Sequence, residues 1–283
     1  MKKILGIIGS PRKLGNCEIT VKAISRRIPE PHQLMLLRLS DFTISPCKGC
    51  YTCLFKKGAC VIEDDLEQIW SALKEADALI VAAPTYFLGP NASLKRLLDR
   101  SFSLHARLEE FWGKPAIGVG IAGIRGKEGY TLLGVESFLK FLMTDIKGCA
   151  TLYGALPGEI ILNDGNEAVM SDLASALFGA GLDPQRPCCP VCGGRTFRFL
   201  NTRDIKCMLC SNSGSFRWDD GIPIFDIQKS EKEMFTSKEA AISHRRWLMG
   251  MKERFMEQKS RLKEISASYL KDGIWITPGA FQK

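Results

Sequence analysis

The strongest constraint on this chain is an alternation that runs through about Asp183, in which short apolar runs take turns with amphipathic segments. The candidate strands are Lys3 to Gly9, Gln33 to Leu39, Ala78 to Ala83, Ala116 to Ile121 and Thr151 to Ala155. Between them, residues 17–28, 63–75, 92–104 and 129–146 read as helices, and a further helix over Asn166 to Gly179 closes the unit. Strands that alternate with helices in this way build a parallel sheet with helices on both faces.

Five strands and five helices in this order predict an α/β fold, a flavodoxin-like doubly wound five-stranded parallel sheet of order 2-1-3-4-5. Its ligand sits at the carboxyl ends of the strands, so function is sought in the loops after strands one, three and four. Past Asp183 the pattern changes. Pro184, Pro187 and Pro190 mark a boundary, a cysteine-rich stretch follows, and Ser237 to Leu270 reads as one long helix. The expected organisation is a ligand-binding domain over 1–183, a zinc-ribbon-like module over 184–226, and the long helix with a C-terminal tail over 227–283. Within the helix, Leu248, Met251, Phe255, Leu262, Ile265 and Tyr269 keep a three-four spacing that Gln258 interrupts, a seam that must pack against something.

Three loops carry ligand signals. Gly9-Ser10-Pro11-Arg12-Lys13-Leu14-Gly15-Asn16 leaves the first strand and enters the first helix at Cys17. A helix N-terminus offers unpaired N–H groups, and Ser10, Arg12 and Asn16 add donors, so this loop can hold a phosphate. It lacks both the Walker ending and the Gly-x-Gly-x-x-Gly fingerprint, which leaves a monophosphate such as that of FMN. Pro84-Thr85-Tyr86-Phe87 follows the third strand, where an aromatic ring and backbone amides can flank an isoalloxazine. Ala122, Gly123, Gly126 and Gly129 belong to a third loop whose glycines permit close backbone approach.

Eleven cysteines in a chain with no secretory signal read as metal ligands rather than disulfides. Cys47, Cys50 and Cys53 form Cys-x2-Cys-x2-Cys, with Cys60 close behind; this spacing suits a [4Fe-4S] cluster, against the alternatives of zinc or a redox disulfide. Cys189, Cys192, Cys207 and Cys210 form two knuckles of zinc-ribbon spacing, with rubredoxin-type iron as the alternative to Zn2+. Cys17, Cys149 and Cys188 are left over; Cys149 is expected to pack as a small hydrophobe.

Composition removes other classes. With 45% hydrophobic and 25% charged residues, the 283-residue chain is an ordinary globular protein, and its longest apolar stretches are far short of a membrane span. The N-terminal apolar run leads into Ser10-Pro11-Arg12-Lys13 without a cleavage site, so a cytoplasmic protein is expected. Only His32, His105 and His244 are present, none beside a cysteine cluster, which gives little support to a hydrolytic triad or a His-ligated zinc. The basic excess falls after Asp183, but its charges interleave with acids on a helix, so nucleic-acid binding is kept only as an alternative of another class.

Taken together, Gly9-Ser10-Pro11-Arg12-Lys13 with Gly15-Asn16, the motif from Cys47 to Cys60 followed by Asp64-Asp65, Pro84-Thr85-Tyr86, and Lys95 with Asp99-Arg100 resemble the iron-sulfur flavoproteins. That family is a branch of the NAD(P)H-dependent FMN reductases. Over roughly residues 1 to 180 the resemblance implies FMN held by the three loops and a [4Fe-4S] cluster after strand two. It also implies a homodimer or homotetramer that brings a cluster close to a neighbouring subunit's flavin. Cys17 stands where related loops commonly carry Ser or Thr. The expected activity is that of an FMN-dependent oxidoreductase or electron carrier, linked to NAD(P)H or ferredoxin. An NAD(P)H-dependent FMN or quinone reductase with a structural cysteine site is the alternative.

Overall fold

The computed structural model describes residues 1–183, 187–231 and 235–273. Residues 184–186, which include the boundary at Pro184, and the tail from 274 onward lie outside the described residues. The first unit runs β1 (Lys2–Ile8), α1 (Asn16–Arg27), β2 (His32–Arg38), α2 (Thr52–Phe55), α3 (Leu66–Glu75), β3 (Ala78–Tyr86), β4 (Gly89–Pro90), α4 (Ala92–Asp99), α5 (Phe102–His105), α6 (Leu108–Phe111), β5 (Pro115–Ala122), α7 (Thr131–Phe141), β6 (Asp145–Tyr153) and α8 (Asp164–Leu177). The long strands pair in parallel in the order β2-β1-β3-β5-β6, with β4 turned back antiparallel on β3. Leaving out the two-residue β4, this is the 2-1-3-4-5 order expected for the flavodoxin-like fold.

Strand alternation divides the core. Ile4 and Ile8 of β1 and Ile80 of β3 pack on one face with Val21 and Ile24 of α1 and Leu173 and Leu177 of α8. Leu5 and Ile7 of β1, with Leu79 and Val81 of β3, pack on the other face with Trp70 of α3, Leu97 of α4 and Phe138 of α7. Burying each such side chain contributes about 1.5–3 kcal/mol, and a shift of one residue in register would exchange the two faces.

Two of the predicted boundaries move. The helix expected over 92–104 breaks after Asp99, where Arg100 and Ser101 bond back only three residues, to Leu97 and Leu98. The turn aims Arg100 inward at Asp64. The helix expected over 129–146 stops at Phe141, because Met143 takes a left-handed conformation (φ 63°) and the Thr144 hydroxyl donates to the Leu139 carbonyl at 2.9 Å. The last strand accordingly begins at Asp145, six residues before the expected Thr151, and pairs with β5 along its length.

The C-terminal part starts with an antiparallel sheet, ordered β10-β9-β8-β7, of β7 (Phe197–Phe199), β8 (Asp204–Cys207), β9 (Ser213–Asp219) and β10 (Ile222–Ile227). Its small core joins Ile205, Leu209 and Ile227 to the buried cysteines and rests against Leu133 of α7. Helix α9 (Lys238–Ser268) follows, and the Ser237 hydroxyl caps it by accepting from Ala240 N–H at 3.2 Å. Its first turns lie on the larger unit: Ala241 is buried, Lys238 pairs with Glu109, and Arg245 donates to the His105 carbonyl at 3.3 Å. Among the described residues no helix is long and apolar enough to cross a membrane.

Candidate functional site

A cleft of about 230 Å3 opens at the carboxyl ends of β1, β3, β5 and β6, lined by the loops that follow them. Its floor is the start of α1, where Gly15 is the N-cap and no side chain caps the first turn. Gly15, Asn16 and Cys17 of this helix start line the cleft beside Ser10 and Arg12, so the uncapped backbone offers an anion seat. Pro84, Thr85 and Tyr86 form one wall, and Gly123 with Ile121 forms another. The Thr85 hydroxyl is buried with no hydrogen-bond partner, a donor waiting for a ligand rim.

Of the residues expected at this site, Ser10, Arg12, Gly15, Asn16, Cys17, Pro84, Thr85, Tyr86 and Gly123 line the cleft. Asn16 spends both ends of its amide on the loop after β6, donating to the Gly154 carbonyl at 2.8 Å and accepting from Gly158 N–H at 2.9 Å. Lys13, Phe87, Ala122, Gly126 and Gly129 lie outside the lining. Phe87 points wholly into solvent from the tip of the β3–β4 hairpin, Ala122 is buried, and a side chain at Gly129 would run into the Leu88 carbonyl. Gly129 therefore serves loop packing. Burial pushes the Cys17 thiol up to about 12, so it sits there as a packed neutral group.

Gly154, Ala155 and Pro157 complete the rim, and reading of the sequence missed them. The signal was present as Gly154-Ala155-Leu156-Pro157-Gly158, turn chemistry directly behind a strand at the same sheet edge. The loop is held shut by Glu159, whose carboxylate accepts from Ala155 N–H and Leu156 N–H, both at 2.7 Å.

A second, smaller cleft is lined by Cys47, Cys50, Cys53 and Cys60 with Tyr51, Phe102 and Arg100. All four cysteines are free thiols, Cys47 and Cys50 exposed and Cys53 and Cys60 half-buried. Burial, together with the negative charge of Cys60, Cys47 and Cys50, pushes the Cys53 thiol up to about 11, which a bound cation would reverse. Arg100 braces the cleft from beneath: it donates to the Cys60 sulfur at 3.2 Å, to the Ser45 carbonyl at 2.7 Å and to Asp64 at 2.6 Å. The Arg100–Asp64 side chains are only 1% exposed. Burial alone would raise the Asp64 carboxyl, but the guanidinium and the Ser45 and Leu66 amides outweigh it and hold it below its ordinary value.

The two clefts share no lining residue and lie at opposite ends of α4. Asn91, at the helix N-terminus, donates to the Gly9 carbonyl at 2.6 Å, while Arg100, just past the C-terminus, reaches Cys60. Eight residues of helix, about 12 Å along its axis, lie between Asn91 and Arg100.

A third set, Cys189, Cys192, Cys207 and Cys210, has all its sulfurs within 4.8 Å of one another, with Cys189–Cys210 at 3.8 Å and Cys192–Cys207 at 3.6 Å. Four thiolates about 2.3 Å from one zinc ion stand about 3.8 Å apart, so this set fits a single tetrahedral ion. Among the described residues it is the only group of Cys, His, Asp or Glu that compact. The loop cysteines are more widely set, as a polynuclear cluster requires.

Comparison with known proteins bears on both clefts. The family model described as NADPH-dependent FMN reductase matches residues 2–141. An iron-sulfur flavoprotein of Archaeoglobus fulgidus is 31% identical over 162 residues, which cover 56% of this chain and 71% of that one. The chain belongs to the iron-sulfur flavoprotein family. Two further family members are the iron-sulfur flavoproteins of Methanocaldococcus jannaschii, 41% identical over 35% of this chain and 51% of that one, and of Methanosarcina thermophila, 36% identical over 44% and 64%. The chain thus spans about half the length of the Methanocaldococcus relative. A solved flavone reductase matches with a TM-score of 0.73 at 15% identity, over 98% of this chain and 100% of that one. At that identity the likeness is one of fold, and it extends over the ribbon and α9.

Proposed function

We propose that the chain is a cytoplasmic redox flavoprotein that moves electrons between FMN in the first cleft and a [4Fe-4S] cluster on Cys47, Cys50, Cys53 and Cys60. The observation that carries this is the pairing of the two clefts across α4, one with an anion seat and an unpartnered hydroxyl, the other with four free thiols around a buried arginine. When bound, flavin exchanges two electrons with one partner, and the cluster exchanges one electron at a time with another.

The residues present suit these groups. The N–H groups at the start of α1, with Ser10 and Arg12, hold the phosphate. Thr85 and Tyr86 meet the ring at the carboxyl end of β3, and Gly123 lets the backbone approach its other side. Arg100 offsets the charge of the thiolate set and keeps Cys60 in place. Cys189, Cys192, Cys207 and Cys210 hold one Zn2+ that folds the ribbon. NAD(P)H or a ferredoxin supplies the electrons, and subunits pair so that a cluster of one faces the flavin of another, as a homodimer or homotetramer.

Anaerobic purification followed by a visible spectrum, with iron, sulfide, zinc and FMN analysis, tests the reading. The expected result is one FMN, four irons and one zinc per chain. Flavin without cluster iron, and rapid reduction by NADPH that survives Cys50→Ser, would favour the FMN or quinone reductase with a structural cysteine site. Absence of both flavin and iron defeats the proposal.

A further inference from the structure

Helix α9 leaves the body of the molecule after Leu248. Leu248 is buried, whereas Phe255 is 52%, Ile265 48% and Tyr269 66% exposed. These belong to a seam in which Leu248, Met251, Phe255, Gln258, Leu262, Ile265 and the C-cap Tyr269 follow one another at strict three-four spacing. That is the a/d pattern of a two-stranded coiled coil, with one polar residue at the middle of the seam. Met251 is half-buried, and from Phe255 to Tyr269, about 21 Å, the seam is exposed among the described residues.

Charge is sorted around the seam. The positions flanking it on either side are Lys252, Arg254, Lys259 and Arg261, then Ser266 and Ser268. The acids Glu253, Glu257 and Glu264 all fall on the far side of the helix. Among the described residues Arg254, Lys259 and Arg261 form no ion pair, and Lys252 only overlies the Phe55 ring at 5.5 Å. A second copy of α9 is a poor occupant. Paired in parallel it would set Arg254 against the partner's Lys259, and paired antiparallel it would set like flanks together, so either arrangement repels. A membrane surface is poorly matched too, since the seam is two positions in seven wide, has a glutamine at its centre and carries acids behind it.

We propose that the α9 seam docks an amphipathic helix of another protein whose apolar stripe is flanked by Glu or Asp. Apolar knobs supply the burial, and opposite charges at the flanks select the partner and its register. Lys252 over Phe55 of α2 puts the near end of the seam beside the helix that carries Cys53. This makes the partner a neighbour of the thiol loop. The proposal does not depend on what that loop holds.

The test uses the full-length protein and two labelled three-heptad peptides, identical in their Leu-rich a/d stripe, one with Glu and the other with Lys at every e and g position. Fluorescence anisotropy is expected to show binding of the Glu peptide at least tenfold tighter than that of the Lys peptide, weakening with salt. The combined variant Lys252→Glu, Arg254→Glu, Lys259→Glu, Arg261→Glu, confined to exposed positions, is expected to reverse the preference with unchanged circular dichroism and flavin content. A variant Phe255→Asp, Leu262→Asp is expected to lose both peptides. The proposal is overturned by equal affinity for the two peptides, by binding of neither, or by a preference that survives the charge reversal. It is equally overturned by phosphatidylglycerol vesicles that displace the Glu peptide, or by a wild-type dimer that the Phe255→Asp, Leu262→Asp variant dissolves. Because the readout is binding, its failure is distinct from failure of the redox reading.

Discussion

The loop of Cys47, Cys50, Cys53 and Cys60 and the ribbon of Cys189, Cys192, Cys207 and Cys210 each bring four thiols together and differ in what surrounds them. In the ribbon three of the four are buried, their sulfurs touch, and they are part of a small hydrophobic core with Ile205, Leu209 and Ile227. In the loop two are exposed, the set is wider, and a buried ion pair lies beneath it, with Cys60 packed against the main core. The lesson is one of coupling. A metal that is itself the core of a module carries its folding, whereas a group held at the surface of an already packed domain can be reached by a redox partner.

The largest expected effect separates the two. Cys207→Ser should strip the ribbon of its zinc and unfold β7 to β10, seen as loss of amide exchange protection confined to about 189–227, while FMN content stays unchanged. Cys53→Ser should remove the iron and sulfide and leave exchange protection of the ribbon intact. If both variants lost the ribbon, the contrast would collapse.

Arg100→Met comes next, because it strands Asp64 in a site almost free of solvent. Breaking a buried pair from one side costs about 3–5 kcal/mol. It also deletes the N–H donor to the Cys60 sulfur, and such donors help set the potential of a cluster. Denaturant unfolding should show the loss, and redox titration followed by electron paramagnetic resonance should show the midpoint moving to more negative values. Arg100→Lys should recover part of the stability without restoring the potential.

Where the ribbon meets the sheet domain, Glu136 of α7 is pushed up to about 7 by burial, against an opposing pull from Arg195. A carboxyl raised in the folded state contributes stability in full below its unfolded pKa of about 4.5, and that stability drains away as pH rises through about 7. Glu136→Gln should therefore match the parent near pH 4.5 and exceed it by about 3 kcal/mol above pH 7. Urea midpoints at several pH values measure this. A flat difference would mean that the joint is open to water.

Much of this arrangement was legible in the sequence for a physical reason: strand and helix periodicities report burial directly, and metal ligands must come in tight spacings. The order of the sheet, the three cleft loops and both cysteine sets followed from that. What escaped were features that depend on partners far away in the chain. Nothing near Arg100 reveals that Asp64, 36 residues earlier, will stop the helix there and turn the side chain inward. The strand start at Asp145 is hidden because Gly148 and Cys149 weaken the local strand signal, and pairing with β5 decides it. Asn16 read as a ligand donor until the loop from Gly154 to Gly158 claimed both of its polar atoms.

The smallest effect is expected in the cleft that reads most clearly. The Ser10 hydroxyl is buried at the end of β1, lines the anion seat, and accepts from Arg12 N–H at 3.3 Å. Deleting it in Ser10→Ala removes one donor to a phosphate, yet the uncapped N–H groups of α1 remain, and backbone donors cannot be mutated away. A hydrogen bond to a charged group is worth about 1.5–3 kcal/mol, so FMN affinity should fall by roughly ten- to a hundredfold. Quenching of flavin fluorescence during titration of the apoprotein gives the number, and cluster iron should not change. A loss beyond a hundredfold would show that side chains, rather than the helix start, hold the phosphate. The contrast between the sites would then have to be redrawn, with the flavin cleft as dependent on single side chains as the thiol loop is on Arg100.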